Sequence, residues 1–149
     1  MRKAGLVVFF VLFVLPAAAQ PSTEELFGQF GLFGTWASDC TAPATPRNLH
    51  VTVSEQESGR IVEDHNLGPA GVVNHYRIVS ARRLSATRLS VEVIFQPGTE
   101  FEERQKLEWL VRNGTRRTML NQPEHGPPVV KDGLALAFGI ETPVLRKCK

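Results

Sequence analysis

The chain has 149 residues, of which 42% are hydrophobic, a length and composition that suit one domain with a single core. It contains 17 Lys and Arg residues against 15 Asp and Glu residues, and two of the bases, Arg2 and Lys3, lie in a segment that we expect to be removed. The remaining domain is close to neutral. It therefore lacks the net field that drives phosphate binding, and we expect no nucleic-acid partner.

Residues 1–19 have the features of a secretory signal peptide. Arg2 and Lys3 precede an unbroken apolar run at residues 6–15, and three alanines at residues 17–19 then offer a cleavage site. The run is well short of the roughly 20 residues that a membrane-spanning helix needs. We therefore expect an exported protein, periplasmic or secreted, with no transmembrane anchor after cleavage.

Residues 20–32 predict a short amphipathic helix and linker. Ser22 or Thr23 can accept hydrogen bonds from the first-turn amides, and two glutamates follow at the positive end of the helix dipole. The apolar residues of this segment lie at helical spacing: Leu26, Phe27 and Phe30. We expect one or two turns that pack over one end of the domain.

Residues 33–149 predict a β domain of about eight short strands. Turn signals recur at intervals of about 8–12 residues, which is typical of an antiparallel barrel or sandwich. Residues 101–112 contain good helix formers, but Leu107, Trp109 and Val111 lie at a spacing of two among mostly charged residues, which favours a strand. Asn113-Gly114 then predicts a tight hairpin turn.

A second ambiguous run lies at residues 134–140. Leu134, Leu136, Phe138 and Ile140 alternate with alanine or glycine, and Pro143 follows. The spacing of two favours one strand over a helix, by a small margin.

The chain has two cysteines, Cys40 just after the first predicted strand and Cys148 next to its last residue. Two cysteines in an exported chain most simply pair with each other. A disulfide between them would bring the two ends of the domain together. We therefore predict an all-β fold: an antiparallel up-and-down barrel with a short N-terminal helix, with a β-sandwich as the alternative.

Gly34-Thr35-Trp36, after a short helix and at the first strand, resembles the G-x-W signature of lipocalins and the wider calycin group. The resemblance implies that Trp36 packs across the closed end of an eight-stranded barrel, and that the other end opens on a ligand cavity. It also implies an arginine from a late strand over the Trp36 ring, for which three residues are candidates: Arg112, Arg116 and Arg117. The longer pattern GTWASDC, with a basic C-terminal segment and Cys148, is similar to a group of small exported bacterial proteins, a resemblance that implies no known activity.

Seven residues are candidates to line the ligand cavity or, alternatively, to fill the barrel as core: Trp36, Tyr76, Leu89, Val91, Val93, Phe95 and Trp109. The first hypothesis is therefore a non-enzymatic exported barrel that binds a small apolar or amphipathic molecule. The alternative is a protein-interaction module of the bacterial envelope, either an inhibitor or an accessory subunit.

The sequence offers no convergent set of reactive residues. A nucleophile elbow of the G-x-S-x-G type is absent, so we predict no catalytic residues and no cofactor. Glu63 and His65 fall on one face of a predicted strand, and His75 could approach them across a hairpin. Metal sites usually show tighter spacing, and we favour scattered surface histidines and no metal.

Overall fold

A computed structural model describes residues 19–69 and 73–148 and shows an all-β protein built around a closed antiparallel barrel. The elements are α1 Thr23–Gln29, β1 Gly34–Ala37, β2 His50–Glu55, β3 Ile61–Asn66, β4 Asn74–Arg83, β5 Arg88–Phe95, β6 Glu103–Arg112, β7 Thr115–Pro123, β8 Val130–Lys131, β9 Leu134–Ala135, β10 Ile140–Glu141 and β11 Leu145–Lys147. The predicted signal peptide, residues 1–19, lies outside the described residues except for Ala19.

Eight strands form the ring, in the order β1, β2, β3, β4, β5, β6, β7 and β11, and β11 closes it by pairing with both β7 and β1. The predicted barrel is thus confirmed, and the sandwich alternative is excluded. The strands β8, β9 and β10 form a small antiparallel sheet that continues from β7, which we call the meander. One edge of β7 is shared: β11 pairs near its start and β8 pairs near its end.

The long strands form because apolar and polar residues alternate along them. On β5, Leu89, Val91 and Val93 are fully buried and point into the barrel. β6 is a strand despite its helix-forming residues, and Asn113-Gly114 joins it to β7 in a two-residue turn with φ of 52° and 68°. Asn and Gly are the residues that tolerate this left-handed backbone, which confirms the predicted hairpin.

The helix α1 closes one end of the barrel. Ser22 caps it by accepting a hydrogen bond from the Glu25 amide, while the Glu25 carboxylate accepts one from the Ser22 amide. Leu26 and Phe27 are buried, and the Phe27 ring lies 5.9 Å from the ring of Trp109 in an edge-to-face arrangement. The predicted helix and its packing role are confirmed.

The first and last strands of the ring meet beside the disulfide. Trp36 on β1 pairs with Lys147 on β11, and the Cys40 and Cys148 sulfurs are joined at 2.05 Å. The predicted cysteine pairing is confirmed.

The prediction of one strand at residues 134–140 was wrong. Residues 136–139 form a turn, and the chain doubles back so that Ile140 pairs with Ala135. Gly139 has a φ of 64°, in the region that favours glycine, so the chain can turn here without backbone strain. The alternating apolar residues consequently share no buried face, and Phe138 is 78% exposed.

Candidate functional site

A buried ion pair crosses the interior of the barrel. Arg116 on β7 and Glu63 on β3 come from opposite walls, and the Arg116 Nη2 lies 2.8 Å from each Glu63 carboxylate oxygen. Glu63 is 1% exposed and Arg116 is 3% exposed. The middle of the barrel therefore contains a charged cross-link and is not a continuous apolar lumen.

Trp109 supports the Arg116 side chain. Val111 on β6 pairs with Arg116 on β7, so Trp109, Val111 and Arg116 all face inward. The guanidinium carbon lies 4.1 Å from the centre of the Trp109 ring, a cation–π arrangement. The arginine that stacks on a tryptophan in this barrel is thus Arg116, and its partner is Trp109 instead of Trp36.

The other two arginine candidates lie elsewhere. Arg112 is exposed on β6. Arg117 donates to the Gly133 carbonyl at 2.8 Å and forms an ion pair with Glu141 at 3.2 Å. The cation over Trp36 is Lys147, whose Nζ lies 5.7 Å from the ring centre.

Polar and aromatic side chains lie next to the ion pair, away from α1. His65 Nε2 lies 2.7 Å from Glu63 Oε1, and the His65 ring is 4.9 Å from the Tyr76 ring. Tyr76 in turn lies 5.1 Å from Phe95. These three rings are only partly buried, so this side of the interior is more polar and more open than the end that α1 closes.

The ionisation of Glu63 follows from its neighbours. Burial alone would raise the pKa of its carboxyl, but the charge of Arg116 and the hydrogen bond and charge of His65 outweigh burial and hold the pKa at about 2. Glu63 and Arg116 are therefore both charged at neutral pH. Burial, followed by the charge of Glu63, raises the pKa of Tyr76 well above its ordinary value.

The candidate cavity-lining residues separate into two groups. Five are at most 1% exposed and pack in the core with α1: Trp36, Leu89, Val91, Val93 and Trp109. Tyr76 and Phe95 are partly buried beside His65. None of the seven borders the cavity beside Arg116.

A cavity of about 170 Å³, partly open to solvent, lies beside the ion pair. Its apolar border comes from Leu49, Val51, Val130, Pro143 and Leu145, and its polar border from Arg116, Arg117, Thr118, Asn121, Thr142 and His65. Strand β1, which spans only Gly34–Ala37, contributes nothing to it. Apolar and hydrogen-bonding groups are interleaved along this border, because Leu145 pairs with Arg116, Val51 with His65 and Val130 with Asn121.

Several buried polar atoms of the barrel lack hydrogen-bond partners within the described part of the chain. They are Arg116 Nε and Nη1, Asn121 Oδ1, Gln105 Oε1 and Glu63 Oε2, the last of which makes an ionic contact without hydrogen-bond geometry. Buried polar groups usually have partners, so such a concentration calls for an explanation. Arg116 and Asn121 both border the cavity.

Sequence reasoning missed Asn121 and Gln105 and singled out Glu63 only as a candidate metal ligand. The signal for Glu63 was its inward position between Ile61 and His65 in a strand that alternates. The signal for Asn121 was weaker. A bulge at residues 118–120 of β7 inserts one extra residue before Asn121, which breaks the alternation of inward and outward side chains along the strand.

The histidines do not converge on a metal site. His75 pairs with Asp64 on the outer face of β3 and β4, with His75 Nδ1 and Asp64 Oδ1 2.6 Å apart, while Glu63 and His65 face inward. Across residues 19–69 and 73–148, no group of three His, Cys, Asp or Glu side chains is placed to hold a metal ion. The exposed His75–Asp64 pair borders a wide surface recess of about 640 Å³.

No helix among the described residues is both long enough and apolar enough to span a membrane. Comparison of the chain with models of protein families, with curated protein sequences and with solved structures finds no match. The closed barrel and the disulfide are compatible with a lipocalin-like exported protein.

Proposed function

We propose that this chain is a non-enzymatic exported β-barrel protein, periplasmic or secreted, that binds a small amphipathic molecule in the cavity beside Arg116. The observation that carries the proposal is the set of buried, unpartnered atoms at its border: Arg116 Nε and Nη1 and Asn121 Oδ1. A ligand that completes these hydrogen bonds removes the cost of leaving them unmade. The G-x-W resemblance at Gly34-Thr35-Trp36 supports a ligand-binding barrel.

The size of the cavity limits the ligand. A cavity of about 170 Å³ is close to the roughly 150 Å³ of an engineered protein cavity that accepts benzene. The Glu63–Arg116 pair blocks the path across the barrel, so a long acyl chain has no room. We therefore narrow the expected ligand from apolar or amphipathic molecules in general to small molecules with one polar end.

Binding without catalysis fits the groups around the cavity. His65 is bonded to Glu63, and the Thr142 hydroxyl donates to the Thr118 carbonyl at 2.7 Å. Nucleophilic catalysis needs a hydroxyl or thiol activated by an adjacent base. The imidazole and this hydroxyl already have other partners, which favours a recognition role.

Val130→Phe should abolish ligand binding because the larger ring would occupy the cavity that Val130 borders. Small-molecule fragments that bind should raise the melting temperature of the wild type. At ten times the Kd, the expected stabilisation is about 1.4 kcal/mol, or roughly 4 °C for a domain of this size. The measurement is a thermal-shift screen confirmed by two-dimensional NMR.

Val129→Phe is the matched control, since Val129 is 48% exposed, adjacent in sequence and outside the cavity border. It should bind every fragment that the wild type binds. The proposal fails when no fragment shifts the wild type, or when Val130→Phe retains the same binding as Val129→Phe.

A second candidate function, a protein-interaction module, is favoured by the meander. Leu136, Phe138 and Ile140 are 46%, 78% and 61% exposed, and β10 has an unpaired edge within the described sheet. Exposed apolar groups beside an open strand edge suit pairing with a strand of another protein.

A photo-crosslinking residue at position 138 tests this second function. The expected result is a discrete covalent adduct with one partner protein in the exported fraction. The same residue at position 79 is the control, because Val79 is also exposed, at 42%, but lies on β4 in the barrel wall. Equal adducts from both positions, or none from position 138, would count against an interaction role for the meander.

A further inference from the structure

The positive charges that border the cavity are already neutralised. The Arg116 guanidinium is paired with Glu63 at 2.8 Å, and the Arg117 guanidinium is paired with Glu141 at 3.2 Å. A ligand that carries a carboxylate would bring a second negative charge close to Glu63, and a ligand that carries a cation would face two guanidinium groups. Burying either charge without its own counter-charge is unfavourable. The electrostatic environment therefore favours a neutral ligand.

The unpartnered atoms define what the neutral ligand must offer. Arg116 Nε and Nη1 are hydrogen-bond donors that need an acceptor, while Asn121 Oδ1 is an acceptor that needs a donor. A ligand that completes these bonds must therefore offer an acceptor to Arg116 and a donor to Asn121. A primary carboxamide combines a carbonyl oxygen with an NH₂ group and meets both requirements without a charge.

The apolar residues of the cavity border favour an apolar body on the ligand. Leu49, Val51 and Leu145 present apolar side chains, against which a short hydrocarbon or an aromatic ring can pack. We propose that the cavity recognises a small neutral primary amide with a compact apolar body, an assignment of ligand class that rests on the proposed binding function. Its amide group bonds to Arg116 and Asn121, and its apolar body packs against Leu49, Val51 and Leu145.

Other occupants of similar size satisfy fewer of these conditions. A hydrocarbon would leave the donors of Arg116 and the acceptor of Asn121 unpaired. A carboxylate can accept from Arg116, but it cannot donate to Asn121. An amidinium can donate to Asn121 but cannot accept from Arg116. Water can satisfy the polar border, but it leaves the apolar border without a partner.

Four ligands of nearly equal shape test the proposal: benzamide, benzoate, benzamidinium and toluene. Each is titrated at millimolar concentration into the full-length exported protein, and binding is followed by two-dimensional NMR. We expect benzamide to bind at least tenfold more tightly than any of the other three. The resonances that shift should include those of residues 49, 51, 121 and 145.

Asn121→Leu provides the second arm, because it removes an unpartnered acceptor while keeping a side chain of similar size. In this variant the affinity for benzamide should fall at least tenfold, and the affinity for toluene should rise. This reversal distinguishes a lost hydrogen bond from a misfolded cavity, since a misfolded cavity would lose both ligands.

The outcomes separate the two proposals. Tighter binding of benzoate, benzamidinium or toluene in the wild type would overturn the amide assignment while leaving a ligand-binding cavity in place. An affinity for benzamide that Asn121→Leu leaves unchanged would overturn it as well. Absence of cavity shifts with all four ligands would overturn the assignment and, together with an empty fragment screen, the binding function itself.

Discussion

Arg116→Met should lower the free energy of unfolding at pH 7 by about 3–5 kcal/mol, the typical cost of leaving one member of a buried ion pair without its partner. Methionine keeps an apolar side chain beside Trp109 but removes the guanidinium, which leaves Glu63 buried at 1% exposure with its bond to His65 but without its cationic partner from β7. The expected loss therefore reflects the stranded carboxylate more than lost packing. Urea denaturation, followed by tryptophan fluorescence, measures it.

The effect should depend on pH in a direction that identifies Glu63. In the wild type, the pKa of Glu63 is about 2 in the folded state, below its ordinary value of 4.5, so its favourable contribution is complete above about pH 4.5. This contribution, on the order of 3 kcal/mol, is lost as the pH falls toward 2. In Arg116→Met only His65 still opposes the effect of burial, so the pKa of Glu63 should be higher than in the wild type, and the variant should lose less stability as the pH falls. The difference between the two proteins should consequently shrink at acidic pH.

Two further variants complete the test of the ion pair. Glu63→Gln combined with Arg116→Met removes both charges and should recover most of the lost stability, because a neutral pair is far less costly to bury. Arg112→Met is the surface control, since Arg112 is exposed on β6, and it should change stability by no more than about 0.5 kcal/mol. A loss below about 1 kcal/mol in Arg116→Met, or an equal loss in the single and double variants, would contradict the role assigned to Glu63.

Removal of the disulfide is the second change with a large expected effect. The double variant Cys40→Ser, Cys148→Ser should lose about 2–5 kcal/mol of unfolding free energy. The bond connects residues 108 positions apart, and a cross-link across such a long segment strongly restricts the unfolded chain. Guanidinium denaturation of the oxidised wild type and of the double variant gives the difference.

Reduced wild-type protein is the control for the cysteine substitutions, because it breaks the same bond without changing any residue. Its unfolding free energy should agree with that of the double variant within about 0.5 kcal/mol. If the unfolding free energies of both proteins remained within about 1 kcal/mol of that of the oxidised wild type, the disulfide would contribute little to the stability of the closed barrel.

The features predicted correctly from the sequence depend on residues that are close together in the chain, or on a pairing for which the chain offers only one choice. The hydroxyl cap at the start of α1, expected from Ser22 or Thr23, and the Asn113-Gly114 turn act through the backbone within a few residues. The Cys40–Cys148 bond was predictable because the chain has only two cysteines. The inward faces of β5 and β6 followed from their simple alternation.

The candidate site was harder to predict because it depends on closure of the ring. Glu63 and Arg116 are 53 residues apart and meet only across the barrel, which no local pattern reveals. Arg116 and Arg117 are neighbours on one strand, so the choice of the inward residue depends on the pairing register of β7 with β6. The turn at residues 136–139 was missed because alternating apolar and small residues also suit a hairpin when glycine supplies the turn.

The shared edge of β7 also constrains the order in which the barrel can form. Strand β11 follows every other strand of the ring along the chain, yet it pairs with β1 and β7 and is required to close the ring. Contacts between segments so distant in sequence form slowly, because the entropy of loop closure opposes them. During synthesis, the chain up to β10 has no strand with which to seal the barrel. Closure of the ring therefore waits for the last strand, whereas the strands from β2 to β7 pair with their neighbours along the chain and can associate earlier.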